Sequence, residues 1–375
     1  MMETSLQKWN CVFGKDDTKA IKGIVIVLML FHHLAGFPAR VPVGFPGFVS
    51  RWGVFITGGF LQSFALSAGI CVALYFFLGG YGLFMRQRSS EFSVTGIILD
   101  LYKAYWRVFF VFVPIAILFF ARSGDEINVL CTRYVFHRKY DIITVVLSNL
   151  TGWSNSLNSE WWFLKSYICL IPVGYLFSVA IKRHQNAWVD FFLVLGIDML
   201  LRGIFPSITD WFPRLGEHVF FNSFINVEDT ASAFFAGIVF AKYDILCVMK
   251  QRIRDILPGK LSKIFALAAL YWCRTFVIFY EADIVYCALM IPLMSVLLDE
   301  CRILKECFGY LGKHSTNMWL IHSFYCYYFL EVTKIVYCTT NVWVDLLILI
   351  ILSLGSSIAL NGFYRTLGRL SGKHV

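Results

Sequence analysis

An apolar run near the start of the chain carries a cation at one end and two histidines at the other. It begins at Lys22 and ends at His32 and His33. Lys22 and His33 are close to three helical turns apart, so on a helix they share one face and lie about 16 Å apart along the axis. Histidine titrates near neutral pH, which suits it to take a proton from a hydroxyl group. The spacing therefore predicts a base at one end of a span and a contact for a long anionic donor at the other.

Each histidine has a structural alternative. An ionisable group within hydrocarbon is costly and is for that reason a functional candidate. His33 has the alternative of a packing role, in which its ring bonds a neighbouring carbonyl. Packing is the favoured interpretation for His32, which points about 100° away around the helix. His322, within a later apolar segment, is either a second residue of a substrate pocket or a structural hydrogen-bond donor.

A second polar group precedes a later span. Glu160 lies at a depth similar to that of His33 and is a candidate catalytic residue that orients the imidazole. Its alternative is to complement the dipole of the helix that follows. Trp161 and Trp162 are candidates for the substrate pocket, with aromatic residues of the membrane interface as the alternative. Lys165, about one turn deeper, is a pocket candidate that pairs with Glu160 or neutralises a developing negative charge.

Cations on the side of Lys22 form the predicted donor site. Arg86, Lys103 and Arg107 join Lys22 there, and such groups bind phosphates through charge-assisted hydrogen bonds. The alternative is that they only anchor the helices at the cytoplasmic surface. The chain contains neither a P-loop nor a G-x-G-x-x-G motif, so no phosphate-cradling loop is predicted.

Membrane-spanning helices must position these groups. The chain is 58% hydrophobic and only 15% charged, with a mean hydropathy of +0.67, which is too little charge for the surface of a soluble domain. Apolar windows of about 17–25 residues recur from end to end and predict an all-α, polytopic bundle of about ten transmembrane helices in one domain, residues 1–375. The predicted spans are 20–37, 66–85, 101–121, 161–181, 187–204, 229–248, 263–280, 282–299, 309–330 and 343–363.

The distribution of charge orients the bundle. With the N-terminus in the cytoplasm, the inward loops carry roughly twice as many Lys and Arg residues as the outward loops. This places both termini in the cytoplasm and explains the net charge of +9 without nucleic acid. Arg274, within a span, is expected to need a carboxylate partner, either Asp283 or Glu281. The eleven cysteines include no C-x-x-C pair, and no metal site is predicted.

Five segments resemble the acyltransferase 3 family of bacterial membrane-bound O-acyltransferases. They occur in family order and span most of the chain. Lys22 stands where arginine is common in the family, Gly79 where serine is usual and Trp319 where tyrosine is usual. The segments are KGIVIVLMLFHH at 22–33, with the family's basic residue and histidine; FFLGGYGL at 76–83, similar to FFLSGYGL; NSEWWFL at 158–164, similar to N-x-x-WFL; FAGIVFAK at 235–242, similar to G-x-x-x-A-K; and LGKHSTNMWLIH at 311–322, similar to L-G-K-x-S-x-x-x-Y-L-x-H.

The resemblance implies an enzyme that transfers an acyl group, usually acetyl, from cytoplasmic acyl-CoA to a sugar hydroxyl of a cell-surface polysaccharide or its lipid-linked precursor. Acetyl-CoA is then the co-substrate, with no metal. The expected location is the bacterial plasma (inner) membrane. Membrane lipid, the glycan acceptor and other envelope-biosynthesis proteins are the expected partners.

Two other functions remain open at this stage. A polytopic transporter or flippase of envelope glycans also has many spans with interior charges. Against it, the sequence contains no two-fold repeat of short broken helices. An acyltransferase that modifies a small solute, a peptide or an amine would share the donor site and differ only in its acceptor.

Overall fold

The computed structural model describes residues 13–41, 60–88, 92–120, 142–211, 225–276, 282–339 and 341–370. Within those ranges the chain is helical and contains no β-strand, as expected of apolar segments that satisfy their backbone hydrogen bonds without water. The α-helices are α1 (Lys15–Ala35), α2 (Phe60–Ser67), α3 (Ile70–Arg86), α4 (Val94–Ile115), α5 (Ile142–Leu150), α6 (Trp162–Ile181), α7 (Ala187–Trp211), α8 (Ile225–Lys242), α9 (Ile245–Ile256), α10 (Lys260–Phe276), α11 (Asp283–Asp299), α12 (Arg302–Ser323), α13 (Leu330–Val336) and α14 (Val342–Leu370).

By length and composition, the described helices form a multi-pass membrane architecture. Five segments are long and apolar enough to cross a membrane, and the bent pair α8–α9 makes a sixth if it is counted as one span. Helices α7, α10, α11 and α12 overlap the four remaining predicted spans without meeting the same criterion. The number of ten spans therefore stays a prediction. The five segments are Lys15–Ala35, Phe60–Arg86, Val94–Phe119, Ser159–Ile181 and Val342–Leu370.

The predicted span 229–248 is not one straight helix. Helix α8 ends at Lys242, and α9 leaves the break at an angle of 80°. Asp244, at the break, has a φ of 50°, a left-handed conformation that is uncommon for residues other than glycine. The Lys242 ammonium fixes the end of α8, since it donates to the Ile181 carbonyl at the end of α6 (2.6 Å) and pairs with buried Asp190 (2.6 Å). The hydropathy of the run does not reveal this turn.

Helix α1 lies against α12 at very short range. A Cβ atom added to Gly23 would clash with the backbone carbonyl of Phe308, and one added to Gly312 would clash with the carbonyl of Lys19. Helices in lipid gain stability mainly from van der Waals packing, and small residues allow their backbones to approach closely. The two glycines therefore fix how α1 sits against α12.

A buried cluster of charges holds the N-terminal end of α1. Lys250 of α9 is 1% exposed and lies 3.4 Å from the Asp17 carboxylate and 3.0 Å from that of Asp299. Lys305 of α12 bonds both carboxylates at 2.6 Å. Each buried charge thus has an opposite partner, which is the condition for leaving water without a large cost. The cluster joins α1 to α9, α11 and α12.

The expected partner of Arg274 is confirmed as Asp283. The guanidinium donates Nε to Oδ1 and Nη2 to Oδ2, both at 2.9 Å, and a third N–H bonds the Ser67 carbonyl. This two-point geometry suits a guanidinium and a carboxylate. The pair joins α10 to α11. Glu281, the other expected partner, lies outside the described residues.

The contact between α1 and α12 gives a first prediction. Gly312→Ala should destabilise the protein by about 1–3 kcal/mol, because overpacking displaces backbone that has no room to move. Gly309→Ala, on the same helix with open space around it, should be neutral or stabilise by up to about 1 kcal/mol, since alanine favours helix. Thermal unfolding of the two purified variants in detergent measures the difference. Equal melting temperatures would contradict the close approach.

Candidate active site

An open cavity of about 440 Å³ lies at the C-terminal end of α1. Its walls come from α1, the turn that follows it, α3, α12 and the start of α6. Half-exposed Arg40 and Ser159 lie at its polar side, whereas Met29, Val72 and Phe163 line an apolar side. The full lining is Met29, His32, His33, Phe37, Arg40, Val72, Ser159, Glu160, Trp162, Phe163 and Trp319.

The structure brings His33 and Glu160 together in this cavity. Nε2 of His33 lies 3.2 Å from Oε2 of Glu160, with side chains that are 12% and 6% exposed. Tyr327 fixes the backbone at this end of α1, because its hydroxyl donates to the His33 carbonyl. Nδ1 of His33 is enclosed and has no hydrogen-bond partner among the described residues. A molecule in the cavity therefore meets the ring from its Nε2 side.

Glu160 has partners on both of its oxygens: Oε2 lies 3.2 Å from His33, and Oε1 accepts hydrogen bonds. Arg40 Nη2 donates to Oε1 at 2.5 Å, and Ser159 Oγ donates to the same oxygen at 3.0 Å. Burial would lower the pKa of Arg40, but the Glu160 carboxylate outweighs burial and holds that pKa above its usual value. A carboxylate with this many donors is a weak base. The carboxylate is thus held by Arg40 and Ser159 through Oε1, with Oε2 beside the His33 imidazole.

The chain before α6 aims Glu160 into the cavity. Asn158 caps a short 3₁₀ turn, Ser159–Trp161, by accepting a hydrogen bond from the Glu160 backbone N–H at 3.1 Å. The same Asn158 side chain donates to Ser323 Oγ of α12 at 2.7 Å. Asparagine is a preferred cap because its side-chain oxygen satisfies a free N–H at a helix start. The cap therefore fixes both the turn and its place against α12.

His322 and His32 flank the central pair in different ways. The His322 ring is fully buried, with its centroid 4.9 Å from that of His33, but it does not line the cavity. Its Nδ1 donates to the Trp319 carbonyl at 2.6 Å. His32 does line the cavity, and its Nδ1 lies 3.0 Å from the Ala65 carbonyl. The packing interpretation of His32 explains its hydrogen bond to Ala65. It does not explain why the His32 side chain lines the cavity.

Of the other pocket candidates, only Trp162 lines the cavity. Trp161 is 2% exposed, donates Nε1 to the Leu320 carbonyl at 3.0 Å and packs on Tyr105, so it belongs to neither the cavity nor a membrane interface. The 3₁₀ turn before α6 turns it inward. Lys165 lines a separate small pocket and donates to the Trp153 carbonyl at 3.2 Å. It does not pair with Glu160.

The four predicted donor contacts divide into two pairs. Lys22 is half-buried, makes no ion pair within the described ranges and lies within electrostatic reach of Arg86, which is exposed at the end of α3. Lys103 is exposed and pairs with Asp100 one turn away at 3.0 Å. Arg107 lies over the ring of Tyr364 at 5.7 Å. Only Lys22 and Arg86 therefore act on each other as a local concentration of positive charge.

An aromatic floor separates the cavity from Lys22. The floor consists of Tyr75, Phe76, Phe163, Tyr167 and Trp319. Phe163 is at its centre, with ring centroids 4.5 Å from Phe76, 4.8 Å from Trp319 and 6.0 Å from both Tyr75 and Tyr167. The hydroxyl of Tyr75 donates to the Lys22 carbonyl at 3.4 Å, which shows that the floor extends to that level of α1.

Sequence reasoning missed Arg40 as a site residue. It follows α1 in a short 3₁₀ turn, and its guanidinium lies 4.3 Å from the centroid of the Tyr327 ring. No spacing rule relates Arg40 to Glu160, because they are joined only through the folded chain. The available signal was weak: a cation shortly after a span that already carried a candidate base.

The comparisons with known proteins agree with this architecture. The model of the acyltransferase 3 family, described as an acyltransferase domain, matches residues 17–362. No curated protein and no solved structure matches the chain. The matched region includes all the helices that form the cavity. The chain therefore belongs to the acyltransferase 3 family and is a multi-pass membrane acyltransferase.

Proposed function

We propose that this protein transfers an acyl group, acetyl in the simplest case, from acyl-CoA to a hydroxyl of a cell-envelope polysaccharide or its lipid-linked precursor. The observation that carries the proposal is the His33–Glu160 contact in an open cavity. It places a candidate base beside a carboxylate, an arrangement that suits removal of a proton from an attacking hydroxyl. Family membership supports the acyl-transfer part of the proposal.

The chemistry takes place at Nε2 of His33. The acceptor oxygen attacks the thioester carbonyl carbon while its proton passes to Nε2. The carbon–sulfur bond then breaks, and the departing thiolate takes the proton from the imidazolium, which returns His33 to its neutral form. Glu160 lies beside the same nitrogen, so its negative charge stabilises the imidazolium between the two proton transfers.

Lys22 and Arg86 are the proposed contacts for the phosphates of CoA. They supply positive charge at the far end of the helix that carries His33. The pairing of Lys103 with Asp100 and the stacking of Arg107 on Tyr364 make these two residues weaker candidates than they are from sequence alone. An ammonium binds phosphate as a point charge, without the two-point geometry of the arginine that is usual here in the family.

The acceptor is proposed to enter on the polar side of the cavity. Trp162 offers an aromatic face of the kind that packs on a sugar ring, and Arg40 and Ser159 offer hydrogen-bond donors beside it. This arrangement fits ten spans in a bacterial plasma membrane with both termini in the cytoplasm. Lys22 then faces the cytoplasmic pool of acyl-CoA, and the cavity faces the envelope. Other envelope-biosynthesis proteins would deliver the glycan.

The base is tested by replacing His33. His33→Ala should lower kcat by about 100- to 10,000-fold, the usual contribution of a general base. His184→Ala is the control, because His184 follows α6 at the end away from Glu160 and pairs with Asp190. The measurement is CoA release by purified protein in nanodiscs with acetyl-CoA and a glycan acceptor, together with mass spectrometry of envelope glycans from cells. Full activity of His33→Ala would contradict the assigned role. Glycan movement without CoA release would favour a transporter.

The donor contact is tested at Lys22. Lys22→Met should raise KM for acetyl-CoA by about tenfold or more, because a charged hydrogen bond to phosphate is lost. KM for the acceptor should not change. Lys22→Arg should keep or lower KM for the donor. Lys19→Met, one turn away at an exposed residue that pairs with Asp16, serves as the control. A change confined to the KM for the acceptor would contradict the proposal, because it would show that Lys22 contacts the acceptor and not the donor.

A further inference from the structure

The two buried histidines carry an unusual pattern of hydrogen bonds. Nε2 of His33 lies 3.2 Å from a carboxylate oxygen of Glu160, which only accepts, so a proton on that nitrogen would face the carboxylate. Nδ1 of His322 faces the Trp319 carbonyl, which also only accepts, so the proton of His322 lies on Nδ1. Each ring is left with one bare nitrogen. Those atoms, Nδ1 of His33 and Nε2 of His322, are both enclosed and have no partner among the described residues.

The row Glu160–His33–His322 contains two ring nitrogens without a partner among the described residues. The ring centroids of His33 and His322 are 4.9 Å apart, and in this state the two bare nitrogens do not bond each other. A neutral imidazole has a single N–H and can serve only one of two acceptors, Glu160 or His322. An imidazolium has two N–H groups and serves both. Buried polar groups without partners are rare and costly, so an Nδ1–H of His33 donated to Nε2 of His322 would satisfy both bare nitrogens.

We propose that His322 is a positioning residue whose Nε2 accepts the Nδ1–H of His33 during acyl transfer. The proposal rests on the proposed function. When an acceptor hydroxyl occupies the Nε2 side, the proton of neutral His33 lies on Nδ1 and is donated to His322, which leaves Nε2 free as the base. After the hydroxyl proton reaches Nε2, one N–H is held by Glu160 and the other by His322. The proton then leaves with the CoA thiolate, and His322 keeps its own proton throughout.

The structural hydrogen bond of His322 to the Trp319 carbonyl accounts for only one of its two ring nitrogens. His314, two turns earlier on α12, is an ordinary buried histidine whose Nδ1 bonds Ser357 Oγ at 2.8 Å. His322 is instead fixed by a backbone carbonyl so that its free nitrogen is an acceptor beside the catalytic ring. It lies outside the cavity lining, so it acts through His33 rather than on a substrate.

The test compares His322→Phe, His322→Gln and His314→Phe with the wild type in nanodiscs, with kcat and both KM values measured. His322→Phe keeps a flat ring and removes the acceptor, and its kcat should fall about 10- to 100-fold, the effect of losing a hydrogen bond to a charged group. Both KM values should stay within about twofold, because His322 touches neither substrate. His322→Gln supplies a carbonyl oxygen and should recover several-fold of the lost kcat. His314→Phe should leave kcat within about twofold of the wild type.

Three results would overturn the inference alone: an unchanged kcat in His322→Phe, an equal loss in His322→Phe and His322→Gln, or a loss that appears in KM. If His322→Phe does not fold, His322→Gln decides. A reduced kcat at unchanged KM supports the role, and a variant as inactive as His33→Ala overturns it. If the wild-type protein releases no CoA, the proposed function fails and the inference fails with it. The results given above overturn only the inference, so the two failures can be told apart.

Discussion

The site depends on the burial of one carboxylate. An unpaired charge in a low-dielectric interior is far more costly than a surface charge, so Glu160 must keep its partners. Those partners come from distant parts of the chain: Arg40 follows α1, and Ser159 belongs to the turn before α6. The requirement to satisfy Glu160 therefore holds the end of α1 against the start of α6, and the gap between them is the mouth of the cavity. The interaction that stabilises this corner of the fold also places the carboxylate beside the His33 imidazole.

Contacts at the N-terminal end of α1 fix the position of His33 along the helix axis relative to the other helices. Lys250 and Lys305 hold Asp17, and the contact of Gly23 and Gly312 leaves no space for α1 to shift against α12. Because α1 is fixed in this way, its last turn has a defined position in the bundle. There the Tyr327 hydroxyl donates to the His33 carbonyl. The close approach also explains why an α12 histidine lies beside an α1 histidine. A wider crossing would separate the two rings and admit water between them.

The sequence predicted features that depend on local periodicity or on the cost of a charge in lipid. The helical class, the shared face of Lys22 and His33, and the need of Arg274 for a partner are of this kind. Features that depend on tertiary packing were not predictable. The 3₁₀ turn before α6 decides that Trp162 rather than Trp161 lines the cavity, and no spacing rule indicates such a turn. The break at Asp244 lies in a run whose hydropathy continues across it.

The aromatic floor limits how the two ends of the site can communicate. Between the levels of Lys22 and His33, aromatic rings pack around Phe163. Helices fixed by glycine contacts do not shift easily, but a side chain changes rotamer at modest cost. In the proposed function, movement of floor side chains would therefore be the least costly way for the donor to pass from Lys22 to His33. Gly79 bears on this point, because a Cβ there would lie 2.5 Å from the Tyr167 hydroxyl. Glycine at position 79 therefore leaves the space that the Tyr167 ring occupies.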